Sequence, residues 1–140
     1  MIMQTIFDPL RKKTVALTPE ERVRQWCIGV LAERLMVPLH MMMSEAGIRL
    51  GGKRLRCDIL VYDRQARPLM VVECKRPEVE LTAEVLDQAV RYNMVLNVKY
   101  LVITNGAQTR AFVRTENDGN IRYLPVSDVP VYSEMICQQQ

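Results

Sequence analysis

Residues 57–75 read CDILVYDRQARPLMVVECK. Cys57 to Tyr62 has the apolar, β-branched character of a strand, and Asp63 to Pro68 has the composition of a turn. Leu69 to Lys75 is a second strand, apolar enough to be central in a sheet. Two strands joined by so short a turn predict an antiparallel hairpin. Side chains alternate along a strand, so Glu73 and Lys75 share one face and Cys74 points the other way, into packing. Asp58 lies on the neighbouring strand and sits beside Glu73 if the register allows.

That placement would bring two carboxylates and one ammonium together. Two acids hold a hard divalent cation through oxygen ligands. A lysine beside them can orient or deprotonate an attacking water, or neutralise charge growing on a phosphate, while the metal lowers the water's pKa. The competing explanation is a plain Glu73–Lys75 salt bridge. It fits poorly, because two charges in the middle of an apolar strand are costly to bury without a reason.

Downstream, Pro77 breaks the chain and Thr82 caps a helix running to about Asn97, with Val85, Ala89, Tyr92 and Leu96 as its inner stripe. Gln88 and Tyr92 are four apart and fall on that same face. A polar pair on the sheet-facing side needs partners, which the carboxylates or a bound nucleic acid would supply. Tyr100 to Thr104 is a third strand, and strand–helix–strand order favours a parallel crossover. Segments 109–114 and 120–125 flank Glu116-Asn117-Asp118-Gly119 as a final hairpin, followed by a tail.

Upstream, Thr18-Pro19-Glu20-Glu21 is a helix start with a T-x-x-E capping box. Val23, Trp26, Cys27, Val30, Leu31 and Leu35 follow at helical spacing, and Pro38 closes the segment. Glu20 begins the inner stripe and is the acid expected to face the site. Glu21, explained by the capping box, is the second choice. Both are equally explained as first-turn acids complementing the helix dipole. Residues 1–17 read as an arm with little periodicity, and 37–50 are open between strand and loop.

Gly47 to Lys53 matches G-x-x-x-x-G-K, but Arg54 stands where a P-loop needs a Ser or Thr hydroxyl, and the stretch runs into a strand rather than a helix. It is better read as a glycine turn feeding a strand. Arg49, Lys53, Arg54 and Arg56 on that strand could meet a phosphate backbone, or could be a solvated edge. The expected order, α-β-β-α-β-β-β, describes one domain over 1–140: an α/β sandwich with a central mixed sheet flanked by helices.

Composition narrows the chemistry. The 140 residues are 49% hydrophobic and 25% charged, which is ordinary globular usage. The net charge of +3 permits a nucleic-acid partner without demanding one. His40 is the single histidine, so a multi-histidine zinc site is impossible. Cys27, Cys57, Cys74 and Cys137 show no C-x-x-C spacing and read as small hydrophobes in a reducing cytoplasm. No apolar stretch is long enough for a membrane span and no signal peptide opens the chain, so a cytoplasmic location is expected.

The motifs P-E-E-x-V-R-Q at 19–25, R-x-D at 56–58, V-E-x-K at 72–75, Q-x-x-x-Y at 88–92 and T-N-G at 104–106 stand in order over residues 18–113. Together they resemble the N-terminal nuclease domain of type I restriction enzyme R subunits, within the PD-(D/E)XK phosphodiesterase superfamily. The resemblance implies a restriction-endonuclease-like fold and a Mg²⁺-dependent DNA endonuclease, with Mn²⁺ as a substitute metal. It implies metal-binding acids at Glu20, Asp58 and Glu73, a catalytic Lys75, and supporting or DNA-contacting Gln88 and Tyr92. Cys57 stands where the superfamily often has proline, and a freestanding nuclease domain without the helicase motor of a full R subunit is expected. DNA is expected as partner in preference to RNA, with a helicase or other subunit in trans and a homodimer left open. The alternative is a catalytically silent nucleic-acid-binding or assembly module of the same fold.

Overall fold

A computed structural model describes residues 3–138. Strands β1 (Thr5–Asp8) and β2 (Lys13–Ala16) form a small antiparallel hairpin. Helix α1 (Pro19–Glu33) follows. Strands β3 (Met42–Leu50), β4 (Lys53–Tyr62) and β5 (Pro68–Cys74) lead to helix α2 (Ala83–Asn93). Strands β6 (Tyr100–Thr104), β7 (Thr109–Asn117) and β8 (Asn120–Val126) and helix α3 (Tyr132–Gln138) complete the chain. The main sheet has the order β3-β4-β5-β6-β7-β8, parallel only between β5 and β6 and antiparallel elsewhere. The expected α/β sandwich with a mixed sheet is the observed architecture.

The two cores follow from period-two alternation in strands apolar on both sides. Val72 of β5 and Val102 of β6 face Val23, Cys27, Ile28 and Leu31 of α1, with Tyr132 and Met135 of α3 in the same cluster. Val71, Leu101 and Ile103 face the other way and pack with Ala89 of α2 and Leu96. Helices thus cover both faces of β5 and β6. Thr18 caps α1 by accepting the Glu21 amide at 3.1 Å, and Thr82 caps α2 through the Val85 amide at 3.2 Å.

Several expectations change. The arm at 1–17 contains a hairpin, held by Asp8, which is fully buried and ion-paired with Arg11 while its other oxygen takes the Leu10 amide at 2.8 Å. Residues 1–2 of the arm and 139–140 of the tail lie outside the described residues. The open segment at 37–50 resolves into a short 3₁₀ turn (Leu39–Met41) and β3. Its partner β4 begins at Lys53, four residues before the expected start, because Gly51 and Gly52 at φ +56° and +80° form the tight turn joining them. Trp26 leaves the α1 stripe at 46% exposure, and the less expected Ile28 is buried in its place. The tail carries α3, anchored by the Tyr132 hydroxyl donating to the Tyr62 carbonyl at 2.8 Å.

Candidate active site

The site lies where β4 and β5 part. Their ladder runs from the Pro68 end to Ile59↔Val72 and goes no further. Beyond it, residues 53–57 of β4 pair only with β3, so β3 and β4 extend past β5 as a two-stranded ribbon. Asp58 stands at the root of this ribbon. Its Oδ2 accepts the Cys74 amide at 2.7 Å, so a carboxylate takes the place of a ladder carbonyl.

The same point marks a change of face. Leu55 and Cys57 belong to the α2 core, while Ile59 and Val61 belong to the α1 core. On β3, Met42 packs on the α1 side and Ala46 on the α2 side. Between them Glu45 adopts φ +54°, a left-handed conformation unusual for a residue other than Gly, Asn or Asp. The flanking pairs Ser44↔Ile59 and Ala46↔Cys57 put Glu45 opposite Asp58.

Glu73 and Lys75 close the other side. β5 ends at Cys74, but the Lys75 amide still donates to the Thr104 carbonyl at 2.8 Å, which prolongs strand geometry by one residue. The two side chains leave on the same side, and Lys75 Nζ lies 2.9 Å from Glu73 Oε2. Glu73 Oε1 accepts from Asn93 Nδ2 at 3.2 Å. Glu20, Asp58, Glu73, Lys75, Arg76, Gln88 and Tyr92 line one open cleft of about 560 Å³. Gln88 and Tyr92 are not buried against the sheet as a sheet-facing pair would be: Tyr92 is 47% exposed. They form a wall of the cleft, and the Tyr92 hydroxyl accepts the Arg56 amide at 3.4 Å. Asn105 of the T-N-G turn ties this region together by donating to the Val79 carbonyl at 2.9 Å.

Of the two first-turn acids, Glu20 lines the cleft and Glu21 does not. Glu21 is buried behind the cleft, bonded to Arg24 Nη1 at 2.6 Å, to Gln25 at 3.1 Å and to Arg11. Arg56 pairs with Glu45, while Arg49 and Arg54 face one another across the exposed ribbon tip, with Lys53 beside the turn.

Arg24, Glu45 and Asn93 are the site residues that sequence reading missed. Arg24 is only 3% exposed, yet its Nη2 lies 3.1 Å from Asp58, 3.0 Å from Glu45 and 3.6 Å from Glu20. A signal for it existed: Arg24 falls between Glu20 and Ile28 at four-residue spacing, a charge inside the buried stripe. Asn93, between Ala89 and Leu96, was legible in the same way. Glu45 carried no signal, because its strand could not be placed.

Electrostatics follow from this crowding. Burial pushes the Asp58 carboxyl above its usual range, opposed by the Cys74 amide and Arg24 and aided by the charge of Glu73. Burial, then the negative charge of Asp58, raises Glu20 as well. Burial opposes the charge on Arg24, but Glu21, Asp58 and Glu45 outweigh it and hold the guanidinium above its ordinary value. The Cys57 thiol is pushed up to about 11 by burial and by Asp58 and Glu73, so it is no nucleophile. Cys27, Cys57 and Cys74 are buried thiols.

Among the described residues, no three His, Cys, Asp or Glu side chains gather into a ready metal cage. A magnesium ion does not require one. It is held by one or two carboxylates and keeps several waters, completed by substrate phosphate. Asp58 and Glu73, two carboxylates at the edge of an open cleft with a third acid nearby, fit that kind of site.

A mixed six-stranded sheet between helices, with acids and a lysine at the parting of two central strands, defines a restriction-endonuclease-like α/β domain. The chain belongs to the family described as type I restriction enzyme R protein N terminus (HSDR_N), whose model matches residues 19–130. Membership supports a nuclease-like role at the level of the family. No curated protein matches the chain significantly. No helix among the described residues is long and apolar enough to cross a membrane.

Proposed function

We propose that this cleft hydrolyses phosphodiester bonds in DNA with the help of Mg²⁺. One observation carries the reading: Lys75 and Glu73 meet at 2.9 Å in the same open cleft as Asp58, at the ends of central strands where a phosphate backbone can approach. Asp58 and Glu73 would hold the metal, with Glu20 at the margin; when bound, it would polarise the phosphate and acidify a water. Glu73 keeps the Lys75 ammonium within reach of the attacking water and of charge developing on phosphate. Asn93 fixes the second oxygen of Glu73. Gln88 and Tyr92 offer a polar wall to the substrate, and the ribbon cations Arg49, Lys53, Arg54 and Arg56 would steer the backbone toward the cleft.

The test is cleavage of linear, circular, single-stranded and branched DNA by the purified chain in Mg²⁺, Mn²⁺ or EDTA. Divalent-dependent cleavage that disappears in Glu73→Ala supports the proposal. A specific observation favours the rival, a silent nucleic-acid-binding or assembly module. Every oxygen of Asp58 and Glu73 already has a protein donor: Arg24 and Cys74 for one, Lys75 and Asn93 for the other. Salt-sensitive DNA binding without cleavage under any condition would select that rival.

A further inference from the structure

We infer that the cleft takes a single divalent cation, and that Arg24 is the permanent second positive charge of the site and the positioning residue for Asp58. The inference rests on the proposed metal-dependent reading and specifies how much metal that site accepts.

Two-metal phosphodiesterase sites place their ions about 3.5–4 Å apart around a shared carboxylate. Here the shared carboxylate would be Asp58, between Glu73 on one side and Glu20 and Glu45 on the other. The second side is filled. Arg24 Nη2 lies 3.0 Å from Glu45, 3.1 Å from Asp58 and 3.6 Å from Glu20. An ion bound there at about 2.0–2.1 Å from the same oxygens would overlap the guanidinium. Nor can Arg24 easily withdraw. Its Nη1 is held by Glu21 at 2.6 Å, and the residue is 3% exposed. Its charge is permanent, since a guanidinium does not deprotonate in proteins.

The Glu73 side is different. There the neighbouring cation is Lys75, on a flexible stem with its side chain 34% exposed, which can shift to admit an ion. Arg24 Nε is buried without a hydrogen-bond partner among the described residues, so the guanidinium is held through its two terminal nitrogens.

The experiment counts bound Mn²⁺ by loss of the free-ion electron paramagnetic resonance signal, which reads binding and not activity. Wild type is expected to bind one Mn²⁺ per chain. Arg24→Lys, which keeps the charge, is expected to remain at one, and Arg24→Gln to gain a second. A crystal of wild type soaked in Mn²⁺ needs no variant, and should show one ion with Arg24 still bonded to Asp58. Two ions in wild type, or Arg24 swung away from Asp58, overturns the inference and leaves the proposed function standing. A count of one in a folded Arg24→Gln also overturns it. No bound Mn²⁺ at all removes the proposed function itself, and this inference with it.

Discussion

Replacing Lys75 with alanine should separate chemistry from folding. Among the described residues the side chain makes one ion pair, 2.9 Å from Glu73, and the two side chains are 34% and 19% exposed. Partly exposed pairs of this kind contribute up to about 1 kcal/mol. Asn93 still satisfies Glu73 Oε1, so the carboxylate is not abandoned. With about 3–4 °C per kcal/mol for a domain of this size, Tm should fall by less than about 4 °C. Affinity for DNA should stay within about threefold, because one cation among several is lost. Turnover should behave differently, because a group assisting proton transfer contributes about 10²–10⁴-fold, or roughly 3–5 kcal/mol of barrier. The assays are thermal melts, fluorescence anisotropy with labelled duplex, and single-turnover cleavage in Mg²⁺. A variant that cleaves within threefold of wild type refutes the assignment of Lys75. One that loses Tm by 10 °C or more shows that the pair is structural.

Three further outcomes are expected. Asp58 has a folded pKa above its ordinary 3.8, so its contribution favours the fold below that value and is lost as pH rises through the folded pKa. The stability of Asp58→Asn relative to wild type should therefore improve as pH rises above 3.8, and a pH-independent difference in urea melts refutes this. Lys53→Ala with Arg54→Ala should weaken binding of unrelated DNA sequences alike. It should also lower the slope of log affinity against log salt by about 2, while an unchanged slope returns the ribbon tip to a solvated edge. Asp63, fully buried, accepts the Gln65 and Arg67 amides, both at 2.9 Å, to close the β4–β5 turn; Asp63→Ala should cost about 2–4 kcal/mol in chemical denaturation, and a loss below 1 kcal/mol contradicts that role.

Local signals carried much of this. T-P-E-E marked the start of α1 because capping and proline at the first helical position are properties of adjacent residues. The alternation in LMVVECK put Glu73 and Lys75 on one side for the same reason, since the period of a strand needs no knowledge of its neighbours. The apolar runs at 57–62, 69–75 and 100–104 announced strands, the second of them central, and the order of elements implied the parallel step between β5 and β6.

Long-range pairing decided the rest. Residues 42–50 have no pattern of their own; they become β3 because β4 offers a free edge and Gly51-Gly52 permits the reversal. Trp26 satisfies the helical spacing of the α1 stripe yet stays half-exposed, because only the sheet determines how wide a stripe is covered. Glu20 and Glu21 are adjacent and chemically alike. Which one meets the cleft depends on where α1 docks against β4 and β5, and on Arg11 of the N-terminal hairpin claiming Glu21. The partnership of Arg24 with Glu45 and Asp58 spans residues 21 and 34 positions apart. Propensity and spacing act within a turn or two of chain, so they put Glu73 and Lys75 on one side of their strand. Only the tertiary fold, by parting β4 from β5 and burying a guanidinium at the gap, determined which charges face one another.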